Sequence, residues 1–250
     1  MKPLKWILGL IFAIALIIAC FFSSFDLLIY GNNPGFFVSE CEKYDCLTDV
    51  GIEKTDLEYV TVEMFDYLKG RRENLSDIYT TINGVPDTQY FNEKECHHMA
   101  DCQKLFVGGM KIRAACIYIC IAIILILFAI NFVQIKENAR RLAKAFTATL
   151  SNLAHGMIAG TIEFFAILLV LGLLVAGNFD KYFTMFHLIF FDNDDWILDP
   201  TKDRLLMIMP EGFFMDCVKY IAIIFAVMLI ILLAASIIYI KHEKKNSINS

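Results

Sequence analysis

The chain has 250 residues, of which 58% are hydrophobic, 14% aromatic and only 20% charged, with a mean hydropathy of +0.57. A soluble domain typically carries about 45–50% apolar and about 25% charged residues, so this chain reads as a membrane protein. The formal net charge of −5 argues against nucleic acid as a partner, because that recognition needs clustered Lys and Arg, and no GxxxxGKS/T, GxGxxG, GxSxG or HExxH string is present.

Crossing a hydrocarbon layer takes about 20 helical residues. Four apolar runs are long enough: Leu4–Phe22, Ala114–Val133, Met157–Ala176 and Val218–Ile240. Lys2 and Lys5 precede the first, Lys136, Arg140, Arg141 and Lys144 separate the second from the third, and Lys241, Lys244 and Lys245 follow the fourth. These segments hold nine of the 22 basic residues against two acids, Glu137 and Glu243. Positive charge marks the cytoplasmic side, so both termini are expected there, and loops 23–113 and 177–216 outside. Ile17-Ile18-Ala19-Cys20 has the look of a lipoprotein cleavage box, but the apolar run continues through Phe21 and Phe22, which favours a retained span.

In the first loop, Thr55-Asp56-Leu57-Glu58 reads as a capping box, followed by Leu57, Val60, Met64, Tyr67 and Leu68 at helical spacing and a stop at Gly70. A second helix is expected to open at Asn92, with Glu95 three residues on. On it His98 and Asp101 are three apart and can meet. A carboxylate there would fix the histidine's tautomer and raise the basicity of its other nitrogen, making His98 a candidate base. A surface pair without a chemical role is the competing reading.

The second loop carries an apolar block, Tyr182 to Phe191, broken by Thr184 and His187. As a helix it shows a narrow polar stripe of Asp180, Thr184 and His187, which suits the membrane interface. A histidine at that depth must be satisfied or used. Trp196 suits the headgroup level, 199–203 reads as a turn, and Pro210 with Glu211 opens a helix.

Cys20, Cys116, Cys120 and Cys217 lie in or at spans and read as small packers. Cys41, Cys46, Cys96 and Cys102 lie outside, where disulfides persist, and are candidate partners whose pairing is open. Cys96-His97-His98-Met99 with Cys102 and Met110 also reads as a soft-metal cluster, though its spacing matches no standard zinc pattern. Glu163 is an intramembrane carboxylate, His155 and His242 lie on the cytoplasmic side, and Asn74-Leu75-Ser76 fits a glycosylation sequon.

Two of these stretches resemble a known family. Glu95-Cys96-His97-His98-Met99-Ala100-Asp101-Cys102-Gln103-Lys104-Leu105 is similar to the E-x-x-H-M-x-D-V-K-x-L signature of the bacterial lipoprotein intramolecular transacylases (Lit). Phe186-His187-Leu188-Ile189-Phe190-Phe191, continuing through Trp196, Leu198, Pro200 and Pro210-Glu211-Gly212-Phe213-Phe214, resembles the second signature, F-H-x-x-F-F with a W-x-L/F-x-P turn and a P-E-x-F-F lead. Asp66-Tyr67-Leu68 resembles an element of the first loop. The likeness covers nearly the whole chain. Cys102, Gln103 and the extra His97 depart from the pattern.

The resemblance implies an acyltransferase of the cytoplasmic membrane of Gram-positive bacteria, with its site at the extracytoplasmic face. It would move the sn-2 acyl chain of a diacylated lipoprotein's diacylglyceryl-cysteine onto that cysteine's α-amine, giving lyso-form lipoprotein. Ester to amide is downhill and the nucleophile is the substrate's own amine, so neither a cofactor nor a catalytic Ser or Cys is required. The expected catalytic residues are His98 as base, oriented by Asp101, and His187 as acid, with the two roles open to exchange; Glu95, Trp196 and Asp199 are expected to bind substrate. Expected partners are the lipoprotein and membrane lipid. The expected fold is an all-α integral membrane protein: one membrane domain over 1–250, four transmembrane helices, a mainly helical outer loop domain and an interfacial helix. A metal-dependent membrane hydrolase, a metal sensor built on the cysteines and a non-enzymatic four-span partner are the competing readings.

Overall fold

The computed structural model describes residues 2–30, 34–136 and 140–248. Glu137, one of the two acids weighed above, lies outside them. Of the described residues, 79% are helical. Among the described residues three helices are long and apolar enough to cross a membrane: Lys2–Ile29, Glu93–Gln134 and Glu211–Asn246. The elements in order are α1 (Lys2–Phe25) with a π-helical turn (Asp26–Tyr30), α2 (Gly35–Lys43), α3 (Cys46–Val50), α4 (Lys54–Leu68), β1 (Tyr79–Ile82), β2 (Val85–Gln89), α5 (Glu93–Gln134), α6 (Arg141–Gly177), α7 (Phe179–Phe190), α8 (Arg204–Ile208) and α9 (Glu211–Ile248). The third expected span, 157–176, lies within α6. The structure divides into two compact units.

The first unit, Met1–Ser23, Lys111–Asn178 and Ile224–Ser250, is made of long helices. One stripe of α1, including Phe12, Ala13 and Ala19, packs against Cys116, Cys120 and Leu127 of α5 and Leu153 and Met157 of α6. A second stripe, Ile17 and Cys20, meets Phe225 and Leu229 of α9. Small residues let the backbones of α1 and α6 approach closely: a Cβ on Gly156 would collide with the Gly9 carbonyl, and one on Gly160 would lie 2.9 Å from the Ala13 Cβ. Gly156 and Gly160 form the small-xxx-small spacing that membrane helices use in place of a hydrophobic driving force. Buried Asn131 ties three helices together, accepting from Lys5 Nζ (2.6 Å) and donating to Thr149 Oγ1 (3.1 Å) and Asn152 Oδ1 (3.3 Å). Gly156→Ala should therefore lower stability in detergent by the about 1–3 kcal/mol typical of overpacking. Gly172→Ala, where nothing lies within 4 Å of the added carbon, should not. Thermal unfolding of the two variants tests the difference.

The second unit comprises Ser24–Met110 and Phe179–Ile223. Leu57, Val60, Met64, Tyr67 and Leu68 of α4 are all buried, in a core shared with Phe37 and Val38 of α2, Ile78, Tyr90, Phe91, Met99 of α5, Ile208 of α8 and Phe213 of α9. The helix ends as its spacing requires, with Gly70 left-handed at φ 73° and the Arg71 N–H on the Asp66 carbonyl. Its start differs from expectation: α4 opens at Lys54 after Glu53, with no side-chain cap, so Thr55 and Glu58 lie inside the helix. The reason is that the chain just before it is pinned, Ile52 bridging to Ile82 and the Asn83 N–H donating to the Gly51 carbonyl. An antiparallel hairpin also interrupts the mainly helical loop domain, with Tyr79 opposite Gln89 and Thr80 opposite Thr88. Asn83 and Gly84, at φ 51° and 77°, supply the two left-handed residues of a tight turn.

Candidate active site

The start of α5 is fixed by a reciprocal cap. The Glu95 N–H donates to Asn92 Oδ1 (2.9 Å), and the Asn92 N–H donates to Glu95 Oε2 (2.7 Å). The second Glu95 oxygen accepts the N–H of Leu205 (2.6 Å), while Asn92 Nδ2 reaches Asp203 (2.7 Å). This bracket ties α5 to the start of α8 and sets the rotation of α5, placing His98 one turn further on facing inward.

His187 lies on α7 and Trp196 on the loop that follows it. The two histidines come together: both are buried, and their rings lie 5.9 Å apart, tilted by 32°. Phe191 meets the His98 ring edge-on at 5.4 Å, and Trp196 stacks on His187 at 4.7 Å and 29°. His187 Nδ1 is 2.7 Å from the Phe183 carbonyl. A carbonyl only accepts, so Nδ1 carries the proton and Nε2 keeps a free lone pair. His98 Nε2 lies 3.6 Å from Cys102 Sγ.

Both imidazoles are held neutral. Burial, then the neighbouring His187, pulls His98 down to about 4, against the opposing pull of Asp101 and Asp195. Burial also lowers His187, partly offset by its bond to the Phe183 carbonyl. Burial pushes the Cys102 thiol up to about 12, so it stays protonated beside His98. His98 precedes the 114–133 stretch that reads as the span. Its ordinary value is 6.5, so the unfolded chain gains a proton between about pH 6.5 and pH 4 that the folded chain refuses. The cost to stability is absent above about pH 6.5 and grows as pH falls through that window, to about 3 kcal/mol at 1.36 kcal/mol per pH unit. The wild-type unfolding midpoint should fall more steeply from pH 7 to pH 4.5 than that of His98→Gln.

The other expected site residues take different places. Asp101 does not pair with His98: its oxygens accept from Lys104 Nζ (2.8 Å) and Asn193 Nδ2 (2.7 Å), because it points toward the loop after α7. Glu95, expected at the substrate, is 1% exposed, with both oxygens spent on backbone N–H groups. Asp199 closes a turn, accepting from the N–H (2.9 Å) and hydroxyl (2.6 Å) of Thr201. His97, the next residue on the helix, turns out to solvent, 3.7 Å from Asp195. Cys41, Cys46, Cys96 and Cys102, the candidate disulfide partners, are free thiols in this structure. Cys96 and Cys102 are six residues apart on one helix, about 9 Å along its axis, beyond the reach of a disulfide. The Cys41 thiol instead donates to the Ile208 carbonyl (3.3 Å). Among the described residues no group of three His, Cys, Asp or Glu is placed to hold a metal ion. Asn193 was not legible as a site residue, since the asparagine of a polar turn gives no sign that it binds a helix 92 residues away.

Long apolar helices joined to a unit in which two separate motifs bring buried histidines together define a membrane-integral protein with a paired-imidazole site. The family model for the lipoprotein intramolecular transacylase Lit matches residues 10–214. The chain belongs to that family, and is an acyltransferase in that broad sense. The fold is also that of the membrane-integral Lit from Bacillus cereus, with a TM-score of 0.72 at 18% identity over 98% of this chain and 100% of that one. Structures of two variants of the Bacillus protein, each with one histidine replaced, match with TM-scores of 0.68 and 0.66 at 21% and 19% identity, over 98% of this chain and 96% and 97% of theirs. A search of curated protein sequences gives no significant match.

Proposed function

We propose that this protein moves the sn-2 acyl chain of a lipoprotein's diacylglyceryl-cysteine onto the α-amine of the same cysteine, at the outer face of the bacterial cytoplasmic membrane. The observation that carries the reading is the buried pair His98 and His187, 5.9 Å apart, with one tautomer fixed. The membrane arrangement belongs to the same proposal: four spans at about 4–22, 114–133, 157–176 and 218–240, both ends cytoplasmic, and α7 lying in the outer interface with Leu188, Ile189 and Phe190 exposed to the acyl layer.

The substrate amine has a reference pKa of about 7.7–8.0, so a useful fraction is already neutral near pH 7. A strong base is therefore not needed before attack. As the C–N bond forms, the nitrogen becomes positive and acidic, and a neutral imidazole can take its proton. His187 is the better acceptor, because its Nε2 is unblocked and the more strongly depressed His98 is the weaker base. His98, with Nε2 beside the protonated Cys102 thiol, keeps its own proton on Nδ1 and donates toward the departing glyceryl oxygen. The proton His187 takes passes on to the neighbouring His98 as that ring gives up its own, so the amine loses one proton, the glyceryl oxygen gains one, and both imidazoles end neutral. Of the two orders left open by the sequence this is the exchanged one, since Asp101 is bonded to Lys104 and Asn193 and not to His98. The aromatic wall of Phe183, Phe191 and Trp196 excludes water, which would otherwise hydrolyse the ester.

The test is to incubate the purified protein in lipid vesicles with a synthetic diacylglyceryl-cysteinyl peptide. The reaction is an isomerisation, so the product should keep the substrate's mass while its fragments place one acyl chain on nitrogen. Release of free fatty acid would make the protein a hydrolase, and unchanged substrate would refute both.

A further inference from the structure

The loop after α7 is held to α5 more firmly than an anchoring role requires. Lys94, His97 and Asp101 lie at i, i+3 and i+7 on one face of α5, and each reaches the loop. Lys94 Nζ donates to the Ile197 carbonyl, His97 Nδ1 approaches Asp195 Oδ2 (3.7 Å), and Asp101 Oδ2 accepts from Asn193 Nδ2 (2.7 Å). Within the loop, Asn193 Oδ1 accepts the Asp195 N–H (3.0 Å). These bonds fix the one residue between them that faces the histidines, Trp196, whose indole stacks on His187. Its Nε1 is buried and has no acceptor among the described residues. A buried N–H left unpaired costs about 1–3 kcal/mol. Rigid clamping around such a donor, in contact with a histidine at the site, is the arrangement of a group awaiting an acceptor from the substrate.

Resting on the acyl-transfer reading above, we infer that the Trp196 indole N–H is the hydrogen-bond donor to the ester carbonyl oxygen of the substrate. As the amine nitrogen attacks the carbonyl carbon, the C–N bond forms and the π pair moves onto that oxygen, where the N–H stabilises the growing negative charge. When the intermediate collapses, the pair returns, the bond to the glyceryl oxygen breaks, and the histidines carry the proton from nitrogen to that oxygen. A neutral donor suits a site in which burial keeps both imidazoles uncharged. The inference also accounts for Asp101, which through Asn193 is a positioning residue for Trp196.

The test replaces Trp196 by benzothienylalanine, which keeps the fused ring and its stacking but has sulfur in place of N–H. Loss of one such donor typically lowers kcat about 10²–10³-fold, and KM should change less than twofold. A variant with wild-type kcat, or one changed only in KM, would overturn the inference. A second measurement needs no turnover: with indole 15N labelling, an N-acetylated diacylglyceryl-cysteinyl peptide, which keeps the ester but cannot react, should shift the Trp196 N–H proton downfield and leave Trp6 unmoved. An unchanged Trp196 signal at saturating peptide would also overturn it. A wild-type protein that moves no acyl chain refutes the function and this inference together, whereas an active wild type matched by its benzothienylalanine variant refutes the inference alone.

Discussion

His187→Gln should lower kcat for acyl transfer about 10²–10⁴-fold, the range a positioned acid–base group supplies. Glutamine keeps much of the ring's volume and polarity but cannot take a proton near neutral pH. His98→Gln should fall in the same range, and the double variant should be little worse than either single one, because groups that act as a unit lose their effect together. Unfolding midpoints at pH 7 close to wild type would assign the loss to chemistry. His97 should not rescue His98→Gln, since its ring turns out to solvent beside Asp195. A His187→Gln protein with wild-type turnover would remove the proton-transfer account.

Glu95→Ala should destabilise the second unit strongly, by about 3–7 kcal/mol. It strips the acceptor from two N–H groups, those of Asn92 and Leu205, in a side chain that is 1% exposed. Each orphaned group costs about 1–3 kcal/mol, and losing the capping box adds about 1 kcal/mol. Glu95→Gln keeps one carbonyl oxygen and should cost less. Turnover per folded molecule should change little in either variant. A Glu95→Gln protein of normal stability and lost turnover would restore this carboxylate to the substrate.

The same residue shows where sequence and structure part. Its place in a capping box with Asn92 was legible, because that motif is local and its hydrogen bonds close within one turn. Its bond to Leu205 was not, because it depends on a loop 110 residues away. The buried stripe of α4 and the helical course of α7 followed from periodicity, and the histidine pair followed from two motifs that the fold brings together. The hairpin at Asn83-Gly84 carries a short-range signal of its own, an Asn-Gly pair directly after the β-branched run Thr80-Thr81-Ile82, which the expectation of a mainly helical loop did not include. The His98–Asp101 pairing failed for a physical reason. A spacing of three allows contact, but the carboxylate gains more from Lys104 and Asn193 than from an imidazole whose burial keeps it neutral. The pairing of Cys96 and Cys102 was open from sequence, while helix geometry holds the two apart.

The central claim, that an acyl chain moves within one substrate molecule between two groups held beside the paired histidines, is tested most directly by a crossover experiment. Two diacylglyceryl-cysteinyl peptides of different sequence are mixed with the protein in vesicles, one of them carrying a deuterated sn-2 chain. Fragmentation mass spectrometry then locates the label. The account predicts that every deuterated chain appears on the amine of the peptide that brought it, at all substrate ratios; deuterated chains on the amine of the other peptide would contradict it.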